Sequence, residues 1–172
     1  MKEYRIEKTR VSVTLRLRGS MQLSGSVFVL PESVESLPMR IAELLNAFER
    51  FVPFEVSEGR TVVQNKGRVI WCRFDGRAGP VLEVPYPRRR VTLVLEDGTS
   101  LSGDIVADGP PDRRRVLDCL NDTKEFLLIE TREADYIVRR DAIAWVPSAE
   151  MGEPREEERD QFEVEEPAAF AV

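Results

Sequence analysis

The sequence repeats itself, and that duplication constrains the fold more than any other feature. Val13-Thr14-Leu15-Arg16-Leu17 aligns with Val91-Thr92-Leu93-Val94-Leu95, and Leu23-Ser24-Gly25-Ser26-Val27 with Leu101-Ser102-Gly103-Asp104-Ile105, both at an offset of 78. Arg40-Ile41-Ala42-Glu43-Leu44-Leu45-Asn46 matches Arg115-Val116-Leu117-Asp118-Cys119-Leu120-Asn121 at 75, and Phe51 falls on Phe126 at the same offset. Val69-Ile70-Trp71 then matches Ile143-Ala144-Trp145 at 74. The drift from 78 to 74 places small deletions in loops of the second copy, where loops tolerate them.

Each copy predicts the same string of elements. Val11, Val13, Leu15 and Leu17 alternate with Thr14, Arg16 and Arg18, the period of a half-buried strand. Turns follow at Arg18-Gly19-Ser20 and at Asp97-Gly98, the latter reading as a two-residue hairpin. The second strand carries Gly25 or Gly103, which marks a bend that lets a small sheet curl. A helix comes next: Ile41, Leu44, Leu45 and Phe48 share one face, as do Val116, Cys119 and Leu120. Pro38, Pro110 and Pro111 precede the helices, with Ser36 and Asp112 as candidate N-caps. Three short strands close each copy, near 51–56, 61–64 and 68–74, then near 126–131, 135–139 and 142–146. The expected fold is mainly β: two tandem SH3-like five-stranded barrels, each with a helix inserted after its second strand. Copy 1 covers 1–74, a linker 75–87, copy 2 88–149, and a tail 150–172.

Composition adds exclusions. The tail holds nine acids against Arg155 and Arg159, leaving 22 acids and 23 bases in the body, so the net charge of −6 belongs to the tail. A like-charge block of this kind predicts disorder, either as a solubilising extension or as a cover that competes with an anionic ligand. There is no histidine, which removes the commonest general base and metal ligand. Cys72 and Cys119 lie in apolar contexts and read as structural thiols. No apolar run has membrane-span length and the N-terminus carries no apolar signal segment, so the chain reads as cytoplasmic, without a membrane partner.

The run Val91-Thr-Leu-Val-Leu-Glu-Asp97-Gly98-Thr-Ser-Leu101-Ser-Gly103-Asp-Ile105 resembles the first motif of the Sm and LSm proteins. Val138-Arg139-Arg140-Asp141-Ala142-Ile143 is similar to their second motif and to the lysine-histidine-alanine-isoleucine run of the Hfq-type RNA chaperones. Here Asp141 stands in place of the histidine, and the helix sits inside the copy rather than before it. The resemblance implies Sm-like barrels, ring assembly through strand edges, and single-stranded RNA as a partner.

Lys66, Arg68, Arg139 and Arg140 fall at equivalent turns of the two copies and are expected to cluster across a pseudo-two-fold as an RNA or anion site. Arg113 and Arg114 extend it, and Arg88-Arg89-Arg90 form a further basic run. The set Arg40, Glu43, Asn46 and Arg115, Asp118, Asn121 reads as structural, with arginine and acid three residues apart on one helix face and Asn as C-cap. Trp71 and Trp145 read as packing residues. No catalytic motif, cofactor or metal site is expected. The expected function is a non-enzymatic binding module that self-associates or takes RNA. The alternative is a protein-interaction adaptor without nucleic-acid affinity.

Overall fold

The computed structural model describes residues 7–31, 36–76, 86–107 and 109–147, so the acidic tail and most of the linker lie outside the described residues. Copy 1 contains β1 (Thr9–Leu17), β2 (Gln22–Val29), α1 (Leu37–Asn46), β3 (Phe51–Val56), β4 (Thr61–Asn65) and β5 (Val69–Phe74). Copy 2 contains β6 (Arg88–Leu95), β7 (Ser100–Val106), α2 (Val116–Leu120), β8 (Phe126–Glu130), β9 (Asp135–Arg139) and β10 (Ile143–Trp145). Short 3-10 turns, Lys66–Arg68 and Arg140–Ala142, link the fourth strand of each copy to its fifth.

The period-2 pattern does what it predicts: Val11, Val13, Leu15 and Leu17 are buried while Ser12, Thr14 and Arg16 between them keep contact with solvent. Gly25 and Gly103 lie where the second strand crosses the third, pairing Gly25 with Val56 and Asp104 with Glu130. A Cβ on Gly25 would stand 2.1 Å from the Glu55 carbonyl oxygen, and one on Gly103 2.4 Å from that of Glu130. Only glycine permits this approach.

Three local expectations need correction. The Asp97-Gly98 hairpin has a three-residue loop, because Leu95 N–H reaches Thr99 C=O (2.9 Å) and Gly98 sits at φ 83°. That left-handed third residue continues the strand twist, as Gly19 and Ser20 do in copy 1. Helix α1 stops at Asn46, so Phe48 falls beyond its apolar face and is fully exposed. Helix α2 begins at Val116, and Asp118, not Asp112, satisfies its first turn by accepting the Arg115 N–H (3.1 Å).

The ten strands of the described residues form one antiparallel sheet in the order β10-β6-β7-β8-β9-β5-β1-β2-β3-β4. Each copy contributes the same sequence of fifth, first, second, third and fourth strand. The copies meet where β9 pairs with β5: Trp71 opposite Val138, Cys72 opposite Ile137, Arg73 opposite Tyr136 and Phe74 opposite Asp135. A fourth strand thus meets a fifth. The relation is head to tail, not the two-fold expected from the sequence, because a two-fold would pair like strands. Each hydrophobic cluster also borrows from the other copy: Phe126, Leu128 and Ile137 join the first, Ile70 and Trp71 the second. No helix among the described residues is long and apolar enough to cross a membrane. Gly25→Ala is expected to lower stability by about 1–3 kcal/mol, since backbone must move to admit a methyl group. A denaturant midpoint equal to that of the wild-type protein contradicts the close crossing.

Candidate functional site at the joint between the copies

The rim of the joint is charged, and its charges are matched. Arg16 meets Asp97 at 3.0 Å, and Arg18 bridges Glu96 (2.7 Å) and Asp141 (3.0 Å) while donating to the Gly67 carbonyl (3.2 Å). Arg139 pairs with Asp141 (2.7 Å) and Glu125 (3.0 Å), donates to the Lys66 carbonyl (3.3 Å) and lies over the Phe126 ring. Burial of Asp97 disfavours its charge, but bonds from Thr99 and Arg16 outweigh that and hold its carboxyl below the usual range. The Glu96 bond, with Asp141 behind it, raises the Arg18 pKa against the opposing effect of burial.

The structure sets Arg139 against the Lys66 backbone and Arg68 against the Arg18 backbone, and it engages most of that charge internally. Lys66 is buried, and its ammonium donates to the Ala47 carbonyl. Burial pushes the Lys66 pKa below the usual lysine value, with Glu125 and Glu49 opposing. Arg140, its equivalent, donates to the carbonyls of Cys119 (3.0 Å), Lys124 and Phe126 (3.0 Å). Both cations thus close the loop that leaves the helix, where carbonyls lack intrahelical donors. Arg68 is exposed and donates to the Arg18 carbonyl (3.2 Å). Arg113 is exposed at the approach to α2, and Arg114 beside it donates to Gly109 C=O (2.9 Å). In the other basic run, Arg88 pairs with Glu130 (2.9 Å), Arg89 donates to Arg114 C=O (3.0 Å), and Arg90 approaches Asp104 (3.8 Å).

Helix α1 belongs to this joint as well. Asn46 reaches into the second copy, donating to the Phe126 carbonyl (3.0 Å) and accepting from the Phe126 N–H (2.8 Å). The pairing of Arg140 N–H with Glu125 C=O (2.8 Å) turns the next residue's polar groups away from β9, and β7 pairs with β8 only at Ile129 and Glu130. Asn46 fills that gap. At the start of α1, Arg40 donates to the Leu30 carbonyl, while Glu43 is exposed. Asn121 caps α2 through its N–H to Leu117 C=O (3.0 Å). Sequence reasoning placed Asn46 as a cap and missed its cross-copy bond. The repeat identities Asn46/Asn121 and Phe51/Phe126 were the available signal.

The outer ends of the sheet, β4 and β10, expose what the joint buries. Trp71 is 8% exposed and edge-on to Tyr136, but its equivalent Trp145 is 59% exposed. Ile137 is 0% exposed against 71% for Val63, and Phe126 1% against 53% for Phe51. Leu117 on α2 is likewise exposed where Ala42 on α1 is buried.

No family model, curated protein or solved structure matches the chain. The joint also carries a titrating group. Burial, reinforced by Glu130 across the ladder, raises the Asp135 carboxyl to about 6. A carboxyl raised in the folded state favours the neutral form, so stability declines as pH rises from about 4 through 6. Asp135→Asn is expected to raise the unfolding midpoint above pH 7, with a gain that shrinks towards pH 4. A gain independent of pH would contradict the assignment.

Proposed function

We propose that this chain is a non-enzymatic Sm-like module: two tandem small barrels that self-associate through strand edges and close into a ring. The observation that carries this reading is the joint between β5 and β9. It pairs unlike strands, so it uses up one fifth-strand edge and one fourth-strand edge and leaves the complementary pair, β4 and β10, at the two ends. Interfaces between unlike surfaces repeat until they close a ring or run on as a filament. Edges unpaired among the described residues, carrying Val63 and Trp145, favour such pairing. Three chains would then supply six barrels.

The charge at the joint favours a protein partner over RNA. Arg18, Arg139, Arg140 and Lys66 hold acids and carbonyls of this same chain, and a phosphate would have to displace those bonds. Sedimentation across protein concentration tests the reading. A discrete species of several chains is expected, reduced to monomer by Val63→Lys, because a charge would replace an apolar contact on β4. A monomer at every concentration overturns assembly. Short single-stranded RNA titrated at low salt is expected not to bind; binding that falls steeply with salt would make RNA the partner.

A further inference from the structure

Edge pairing alone leaves a gap in the third strand, and within the chain that gap is closed by a helix of the other copy. The same gap stands open at the outer end. The Lys66 N–H bonds to Arg50 C=O (3.0 Å), so the polar groups of the next residue, Phe51, face away from β4. Strand β2 pairs with β3 only at Glu55 and Val56 and does not reach Phe51. Among the described residues neither the N–H nor the C=O of Phe51 has a partner. On copy 2, Asn121 stands at the repeat position of Asn46; its side-chain amide has no partner among the described residues and is exposed. Leu117 lies one turn earlier on α2, exposed, where α1 has buried Ala42.

We propose that α2 of one chain seats on β3 of a second copy, where Asn121 takes the N–H and C=O of Phe51 as Asn46 takes those of Phe126 within the chain. The inference rests on the assembly reading above and adds to it the helix clamp and its partner residue. The occupant is a second copy because the established joint already joins these surfaces in this order: a first-copy helix and fifth strand against a second-copy third and fourth strand. The outer ends offer the missing set, α2 with β10 against β3 with β4. Leu117 would cover Phe51, which is over half exposed in the single chain.

The test uses the full chain, by sedimentation equilibrium and by amide exchange at Phe51. Asn121→Ala is expected to weaken assembly on the order of tenfold, the loss of two modest hydrogen bonds, while Val63→Lys abolishes it. Asn121 is exposed, so at dilutions where both are monomeric Asn121→Ala and the wild-type protein are expected to unfold at the same midpoint, which separates a lost contact from a lost fold. The Phe51 amide is expected to be protected in the assembled wild-type protein and to lose that protection in the Asn121→Ala assembly. If Val63→Lys dissociates the assembly but Asn121→Ala changes neither affinity nor Phe51 protection, the clamp is wrong and the assembly reading stands. Phe51 protection that persists in dilute monomer would place a segment of the same chain there and overturn the clamp. A wild-type chain that never associates overturns both.

Discussion

Every larger feature of this molecule depends on the four-residue ladder between β5 and β9. A five-stranded curl leaves two edges whose N–H and C=O groups lack partners. Pairing the fifth strand of one copy with the fourth of the other satisfies one of each and merges ten strands into a single sheet. The merger also explains why the cores are not separate. Ile137 and Trp71 lie on the paired strands, so each is carried into the cluster that the other copy organises. Asn46 completes the joint where the ladder cannot, supplying one donor and one acceptor to Phe126. A buried backbone left unpaired there would cost about 1–3 kcal/mol, so the amide matters in proportion to its burial.

Much of this was legible in the sequence for physical reasons. Strand alternation in Val11 to Leu17 and the repeat offsets both report burial directly, because apolar spacing is a local consequence of which face meets the core. Gly25 and Gly103 were legible as bends in the second strand, but the close approach of the Glu55 and Glu130 carbonyls that requires them shows only in the fold. The three-residue loop at Glu96-Asp97-Gly98 was not, since Asp-Gly serves turns of two lengths and the choice is made by Thr99 pairing back to Leu95. Phe48 fits the helical spacing by count but lies two residues past the end of α1.

The roles of the basic residues were the hardest to read. Lys66 and Arg140 look like ligand-binding cations because the sequence shows their charge and hides the carbonyls they serve. Ala47, Cys119 and Phe126 come near only once the helix has turned back onto the sheet. The direction of the joint was hidden for a related reason. A tandem repeat is compatible with like-to-like or like-to-unlike contact, and only the pairing register distinguishes them.

Arg18 and Glu96 show what duplication makes available. They occupy the same repeat position, each just after the first strand of its copy, and they touch across the joint at 2.7 Å. Two identical subunits joined in this way would bring like charges together at that position, which costs rather than stabilises. A chain with two divergent copies can instead set a guanidinium against a carboxylate. In the proposed assembly the same geometry at the outer ends would set Glu96 of one chain against Arg18 of the next, so that the signs would alternate without conflict. That alternation holds only while first and second copies take turns. The charge at this one position therefore agrees with the head-to-tail order of the strands.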